Sequence, residues 1–384
     1  MFWRKKRTYL DYAAGMTGNP SSPHEEGRKA REMLENARTN IARLVEVQSD
    51  DVIFTSGATE SNALAILGHV HALRTAGKSN LHVLYLPSAH ASIVENMKLL
   101  AAEGIAVEEL PIKDYCIDTE TLTKMLRRET ALVSMDAVCG ETGTVWNTRE
   151  VAQILGTFAV SVPVLHVDAS QAPLTEKITR AHFGADILTL DASKVGAVHG
   201  IGALIAHRTI PLTPLYRGGG QERGLRSGSE APELAQKFAA CLRQAAHGRE
   251  KFRAAAKLSR GRLIKDITST ISNVYVNEGR TQAPHILNLS FPSRDTDYLV
   301  ALLDEAGYAV STRSACETDS EEGSRAVLVL TGNSERARST LRISWGPSVR
   351  SSELARFVRT LVRSIAFSAG GGSASGGIDN SSQR

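Results

Sequence analysis

Asp186-Ile-Leu-Thr-Leu-Asp-Ala-Ser-Lys194 is a short apolar run that ends in small and polar residues. A second run of this kind, Val162–Val167, leads into Asp168. Four more share the pattern: Val52–Thr55, His82–Pro87, Ala131–Val138 and Gly202–Ala206. Short runs that are apolar on both faces are typical of strands buried in a mainly parallel sheet. Amphipathic stretches between them, such as Glu60–Thr75 and Thr148–Leu155, predict helices on both sides, so the pattern predicts an α/β domain.

The pattern changes after about residue 248. A charged helical stretch, Arg249–Ile267, is followed by a mixture of strands and helices. The predicted strands are Val274–Val276, Ile286–Phe291, Tyr308–Ser311 and Thr340–Ser344, and the predicted helices are Asp297–Ala306 and Ser352–Ile365. Such a mixture predicts a second, α+β domain.

We therefore predict two domains and a tail. Residues 15–250 form the large α/β domain, and residues 251–367 with residues 1–14 form the small α+β domain. Residues 368–384 are mostly Gly and Ser. Such a composition does not offset the entropy of ordering, so a disordered tail is expected.

The composition of the 384 residues is that of an ordinary globular protein, with 42% hydrophobic and 22% charged residues. A net charge of +4 gives no reason to expect nucleic acid or a membrane as partner. No run approaches the roughly 18 apolar residues of a membrane span. Four scattered cysteines without metal-ligand spacing predict reduced thiols and no metal site. With no apolar signal segment at the start, we expect a cytoplasmic protein.

A first candidate binding feature is Thr55-Ser-Gly-Ala-Thr-Glu-Ser-Asn62, which follows a predicted strand and opens a helix. Its small residues let backbone N–H groups and hydroxyls approach a phosphate, and the helix dipole favours an anion there. An ordinary helix cap is the alternative.

Three further polar residues follow predicted strands. Asp168 ends a buried strand, where a carboxylate calls for a cation such as a protonated pyridine nitrogen. Lys194 lies one strand–helix–strand unit later, where poor solvation would lower its pKa and suit imine formation. His90 follows another strand and can stack on a flat ring. Each residue taken singly has an ordinary alternative: Asp168 as a helix cap, Lys194 as a surface lysine and His90 as a structural histidine. Together with the phosphate cradle they indicate pyridoxal phosphate chemistry.

Six motifs make the chain resemble the cysteine desulfurases, a class-V branch of the aminotransferase fold. They are Gly18-Asn-Pro-Ser-Ser-Pro-His-Glu-Glu-Gly-Arg28, Phe54-Thr-Ser-Gly-Ala-Thr-Glu-Ser-Asn62, His166-Val-Asp-Ala-Ser-Gln171, Gly218-Gly-Gly-Gln-Glu-Arg-Gly-Leu-Arg-Ser-Gly228, Ser314-Ala-Cys316 and Leu341-Arg-Ile-Ser344. The resemblance runs from about Tyr9 to Ser364. It implies a fold-type-I, aspartate aminotransferase-like pyridoxal phosphate enzyme.

The resemblance also implies roles for the cofactor site. Lys194 would hold the cofactor covalently, Asp168 would pair with the ring nitrogen, and Gln171 would contact the phenolic oxygen. His90 would stack on the ring and move protons. The phosphate would be bound by Ala58, Thr59, Ser193 and, from the neighbouring subunit, Ser229. A homodimer is therefore implied.

For the substrate, the resemblance implies that Arg342 clamps the carboxylate of L-cysteine. Cys316 would take the sulfur as a persulfide, release alanine and pass the sulfur to an acceptor protein. The polar stretch after Cys316 suits a loop that carries sulfur out of a pocket. Iron–sulfur cluster assembly and tRNA thiolation both use such acceptors.

Two departures from the family pattern fall in the predicted pocket. Asp191 replaces a phosphate-binding serine and would bring like charge to a phosphate. It either points away or weakens cofactor binding. Gly140 replaces an asparagine that contacts cofactor and substrate. We interpret the chain as a divergent desulfurase, with selenocysteine lysis, another class-V reaction or an inactive scaffold for a sulfur-transfer partner as alternatives.

Overall fold

The computed structural model describes residues 7–158, 162–312 and 323–370. The chain divides into two compact units. The first comprises the described parts of Met1–Lys113, Ile117–Val138 and Trp146–Arg249, and the second those of Asp114–Cys116, Cys139–Val145 and Glu250–Arg384.

The described residues before residue 207 form nine strands: β1 (Val52–Thr55), β2 (His82–Tyr85), β3 (Ala106–Glu109), β4 (Ile112–Lys113), β5 (Cys116–Ile117), β6 (Thr130–Asp136), β7 (Val164–Asp168), β8 (Ile187–Asp191) and β9 (Gly202–Ala206). Seven of them form one sheet in the order β1-β9-β8-β7-β6-β2-β3, while β4 pairs with β5. The six predicted strands are all present. The edge strand β3 was not predicted.

The pairing within the seven-stranded sheet is mostly parallel. Strands β3, β2, β6, β7 and β8 pair in parallel, and β9 is antiparallel to both β8 and β1. The predicted mainly parallel α/β sheet is confirmed. Because β1, β2, β6, β7 and β8 run in one direction, their carboxyl ends meet at one edge.

The helices of the first unit are α1 (Glu25–Val45), α2 (Ala58–Ala63), α3 (His69–Thr75), α4 (Ala91–Ala102), α5 (Thr119–Met125), α6 (Thr148–Gly156), α7 (Arg180–Phe183) and the first part of α8 (Pro232–Thr270). A π-helical turn, Leu64–Gly68, joins α2 to α3, so one helical segment runs from Ala58 to Thr75. Leu64 packs in a buried cluster with Ile53, Ile187 and Leu204. This packing holds the helical segment against β1, β8 and β9.

The second unit has an antiparallel three-stranded sheet of β10 (Tyr275–Val276), β11 (Ile286–Ser290) and β12 (Thr340–Ser344). Its helices are the end of α8, α9 (Thr296–Glu305), α10 (Arg325–Thr331), α11 (Ser334–Arg338) and α12 (Ser351–Gly370). Its apolar core includes Phe291, Leu303, Phe357 and Leu361.

Four assignments differ from the sequence prediction. Residues 114–116 and 139–145, assigned to the large domain, belong to the second unit. Residues 7–14, assigned to the small domain, belong to the first unit, where Arg7 pairs with Glu26 at 2.9 Å. Tyr308–Ser311 is not a strand, since only Ser311 forms a bridge, with Arg342. The predicted tail began at residue 368, but α12 continues to Gly370. Residues 371–384 lie outside the described residues.

Among the helices that the structure describes, none is long and apolar enough to cross a membrane.

A buried ion pair ties the glycine-rich loop, Gly218–Gly228, to the sheet of the first unit. Arg38 donates to Glu222 Oε1 at 2.7 Å and Oε2 at 2.8 Å, and the Glu222 side chain is only 1% exposed. Arg38 also donates to the carbonyl of Val52 at 2.7 Å, and the Phe54 N–H donates to Glu222 Oε2 at 2.7 Å. The pair therefore joins α1, β1 and the loop around residue 222.

Replacing Glu222 by alanine is expected to lower the free energy of unfolding by about 3–5 kcal/mol, because the buried Arg38 charge then keeps only the exposed carboxylate of Glu35 as a partner. Urea unfolding monitored by circular dichroism measures this loss. The control is Glu120→Ala, which breaks the exposed pair with Lys124 and should cost little. Similar unfolding midpoints for both variants would contradict the expectation.

Candidate active site

Asp168 lies at the carboxyl end of β7 and is 6% exposed. Its Oδ1 accepts hydrogen bonds from Ser170 N at 2.9 Å and Ser170 Oγ at 2.5 Å, and its Oδ2 accepts one from Asn62 Nδ2 at 2.7 Å. A carboxylate has about four acceptor positions. One position on Oδ2 therefore remains for a further donor.

Asn62 links Asp168 to His90 through Ser92. Its Nδ2 also donates to Ser92 Oγ at 2.8 Å, and Ser92 Oγ lies 2.8 Å from His90 Nδ1. The Ser92 N–H donates to the same nitrogen at 3.2 Å, since His90 caps the start of α4. In its neutral form the His90 imidazole therefore carries its proton on Nε2.

His166 lies beneath this edge, in the middle of β7, and is fully buried. Its Nδ1 lies 2.8 Å from Ser134 Oγ, and its Nε2 lies 3.1 Å from Thr189 Oγ1. Burial lowers the pKa of His166 to about 4, although the nearby Asp168 acts in the opposite direction. The imidazole is consequently neutral near pH 7 and supplies no cation to Asp168.

The predicted phosphate cradle has a carboxylate in it. Asp191 Oδ2 accepts a hydrogen bond from the Ala58 N–H at 2.7 Å, at the first residue of α2. Asp191 Oδ1 accepts from Ser193 N at 2.8 Å and Ser193 Oγ at 2.6 Å. Gly57 has a φ of 154°, and a Cβ built there would lie 3.2 Å from Asp191 Oδ2. Asp191 therefore points into the cradle, and the possibility that it points away is excluded.

Lys194 ends the 3₁₀ turn Ala192–Lys194 that follows β8. Its side chain is exposed in the single chain. This differs from the poor solvation expected at the end of a buried strand, because the turn carries the lysine beyond the sheet. Its place in the chain, three residues after Asp191, still puts it at the edge where Asp168 ends β7.

A second carboxylate, Glu60, lies in the first turn of α2. It accepts hydrogen bonds from Ser56 N at 2.5 Å and Tyr216 Oη at 2.7 Å, and Arg226 Nε lies 3.4 Å from Glu60 Oε1. Burial alone would raise the pKa of Glu60, but the hydrogen bonds from Tyr216 and Ser56 and the Arg226 charge lower it overall. Glu60 thus holds the glycine-rich loop against the start of α2.

The remaining predicted cofactor residues of the first unit have fewer contacts. Thr59 is exposed in the first turn of α2, and Gln171 is half-buried in the turn after β7. Ser229 is exposed at the end of the glycine-rich loop. Their roles stay predictions.

Within the second unit, Arg342 and Gly140 are in contact. Arg342 lies on β12 opposite Asn288, and its guanidinium donates to the Gly140 carbonyl at 3.1 Å. Asn288 Nδ2 donates to the carbonyl of Glu141 at 3.2 Å. The structure therefore brings together the two predicted substrate-binding residues.

The segment with Cys316 lies outside the described residues, which resume at Gly323. Ser324 caps α10, and its hydroxyl donates to Glu141 Oε2 at 2.6 Å. Both side chains are buried. This bond fixes the chain just after the predicted nucleophile beside Glu141. Cys139, in the same short segment, is buried at 2% exposure.

Asn62 and Ser92 were not among the predicted site residues. Asn62 closes the motif that begins at Thr55, and Ser92 lies two residues after His90. A polar residue at a helix position that should face the sheet was the available signal, because a buried amide calls for partners.

Comparisons with known proteins agree with this fold. The model of the aminotransferase class-V family matches residues 6–357. Cysteine desulfurase IscS 1 of Archaeoglobus fulgidus is 35% identical over 88% of this chain and 87% of its own length. Cysteine desulfurase IscS of Dictyoglomus turgidum is 31% identical over 89% and 90%. A solved NifS-like protein superposes with a TM-score of 0.84 at 26% identity, covering 91% of this chain and 92% of the other.

The chain therefore belongs to the class-V aminotransferase family. Within that family, the relatives named here are cysteine desulfurases. The family and the fold that the motifs predicted are confirmed.

Replacing Asn62 by alanine is expected to lower the free energy of unfolding by about 1–3 kcal/mol, since Asp168 and Ser92 lose a buried donor. It should also weaken the preference of His90 for the Nε2–H tautomer, which ¹⁵N chemical shifts of the ring report. Asn96→Ala is the matched control, because within the described parts of the chain Asn96 Nδ2 donates only to the Ser92 carbonyl, at 2.7 Å. If Asn62→Ala changes neither the free energy of unfolding nor the ¹⁵N chemical shifts of the His90 ring, the proposed hydrogen-bond chain is refuted.

Proposed function

We propose that this chain is a pyridoxal phosphate-dependent cysteine desulfurase that converts L-cysteine to L-alanine and passes the sulfur from Cys316 to an acceptor protein. The reaction class rests on relatives that are named cysteine desulfurases and align over most of both chains. The cofactor, the residue roles and the acceptor are our proposals.

One observation supports the cofactor most strongly. Asp168 is a buried carboxylate whose hydrogen-bond partners among the described residues, Asn62 and Ser170, are neutral. A buried charge is costly unless a cation pairs with it. The acceptor position left on Asp168 Oδ2 fits the protonated ring nitrogen of pyridoxal phosphate.

The residues at the ring fit the cofactor. At the phosphate cradle, the donors that would bind the phosphate already bind the carboxylate of Asp191. At the ring, Asp168 would hold the nitrogen, His90 would cover one face, and Lys194 would form the covalent link. At the phosphate, the donors of Ala58 and Ser193 are present but are bonded to Asp191. When bound, pyridoxal phosphate supplies an electron sink for the carbon that loses its proton.

The chain's own residues would do the rest of the work. Arg342 would bind the carboxylate of L-cysteine, Lys194 Nζ would move the proton of the substrate's α-carbon, and His90 Nε2 would donate a proton. The thiolate of Cys316 attacks the substrate sulfur, so that an S–S bond forms as the C–S bond breaks. The electron pair of the broken C–S bond stays with the substrate, so that protonation of the β-carbon and return of a proton to the α-carbon yield alanine, and Cys316 is left as a persulfide.

Two features of the proposal concern the setting of the reaction. The exposed Ser229 would complete the phosphate site of a neighbouring subunit, so we propose a homodimer. The three described cysteines are not joined in disulfides, and a reducing compartment such as the cytoplasm suits a persulfide carrier. The acceptor would be a protein with its own thiol, of the kind that serves iron–sulfur cluster assembly or tRNA thiolation.

The proposal is tested by incubating the protein with pyridoxal phosphate, L-cysteine and a reductant, and by measuring sulfide and alanine. We expect both products from the wild type and from Cys116→Ser, and essentially none from Cys316→Ser, because only Cys316 takes the sulfur. Turnover that survives in Cys316→Ser would favour a reaction of the class-V family that needs no thiol.

Gly140→Asn is expected to raise kcat/KM for L-cysteine about 2- to 12-fold, the worth of one added hydrogen bond. The reason is that the restored amide would reach the pocket that Arg342 serves. Gly140→Ala is the control, since it adds a Cβ without an amide. Steady-state kinetics that are the same for both variants would count against a role for this position.

A further inference from the structure

The start of α2 carries an anion of the protein's own. The Ala58 N–H is one of the first N–H groups of a helix, which have no partner within the helix itself. This helix continues, through the π turn, to Thr75. Asp191 Oδ2 lies 2.7 Å from it. On the other side of the same carboxylate, the N–H and hydroxyl of Ser193 lie 2.8 Å and 2.6 Å from Oδ1. Three donors thus converge on one carboxylate.

These three donors are of the kind that binds a phosphate oxygen: a helix N-terminal N–H, a second backbone N–H and a hydroxyl. Ala58 and Ser193 are also the residues to which the proposed function assigns the cofactor phosphate. The carboxylate of Asp191 has the charge sign and the hydrogen-bonding capacity of the group it replaces. A phosphate cannot use these donors while Asp191 holds them.

The surrounding charges add to the electrostatic repulsion between Asp191 and a bound phosphate. Glu60 accepts the Ser56 N–H at 2.5 Å in the same first turn of α2, which places a second carboxylate beside the cradle. Arg226, 3.4 Å from Glu60, offsets that charge. Among the described residues no cation is paired with Asp191, so a dianionic phosphate would enter next to an unneutralised carboxylate.

We propose that Asp191 is a built-in competitor for the phosphate of the cofactor, so that binding of a phosphorylated ligand requires this carboxylate to leave the Ala58 and Ser193 donors. The inference rests on the proposed function for the identity of the ligand. It makes a distinct statement about specificity. The phosphate group contributes less to binding in this chain than an open cradle would allow, and pyridoxal without phosphate is penalised less.

Two variants separate the charge of Asp191 from its capping role. Asp191→Asn removes the charge and keeps an oxygen that can accept from Ser193 N. Asp191→Ser removes the competing group and supplies a hydroxyl. Asp118→Asn is the matched control, because Asp118 also accepts a backbone N–H and a hydroxyl, both from Thr121, but at the start of α5.

The test measures binding without turnover. Inorganic phosphate is titrated while the melting temperature is followed, and pyridoxal phosphate and pyridoxal are titrated by absorbance. We expect both Asp191 variants to bind phosphate and pyridoxal phosphate at least about tenfold more tightly than the wild type and Asp118→Asn, since like charge is removed from the cradle. The affinity for pyridoxal should change by less than about twofold, because it carries no phosphate to compete with Asp191.

The outcomes keep the two proposals apart. The competitor role is overturned if both Asp191 variants bind phosphate and pyridoxal phosphate within about twofold of the wild-type affinity. This outcome does not depend on whether the protein turns over L-cysteine. If the variants gain phosphate binding but no form binds pyridoxal phosphate, the competitor role stands and the proposed function fails. Should Asp191→Asn melt too low to titrate, Asp191→Ser decides the question by the same measurements.

Discussion

The shared direction of β1, β2, β7 and β8 is the constraint on which the candidate site depends. Parallel alignment brings their carboxyl ends to one edge, and the segments that follow supply Ala58, His90, Asp168 and Lys194. Asn62 then locks two of these segments together through its bonds to Asp168 and Ser92. A sheet of another topology would scatter the same residues, however well each motif were kept.

The sequence was sufficient wherever a local pattern decides the structure. The runs at 52–55 and 202–206 became strands with those bounds, because continuous apolar residues have no other place than the inside of the sheet. The strand β3 was missed for the opposite reason. Its residues, Ala106–Glu109, are partly exposed at the edge and end in two acids, so they lack the apolar signal.

The finer parts of the site depend on contacts between distant residues. Asp191 was recognised as a departure from the family pattern, but its direction follows from the packing of α2 against β8, 133 residues apart in the chain. Asn62 and Ser92 looked like ordinary polar helix residues, and only their burial makes them connectors. The run 308–311 failed as a strand because Ser311 alone meets a partner, Arg342.

The bonds of Asp191 also bear on how the protein is made. In many helices that bind anions, the exposed N–H groups at the first turn depend on the ligand for satisfaction. Here an internal carboxylate already serves Ala58 and Ser193. This part of the fold is consequently complete without an external anion, so that folding of the newly synthesised chain would not have to wait for the proposed cofactor.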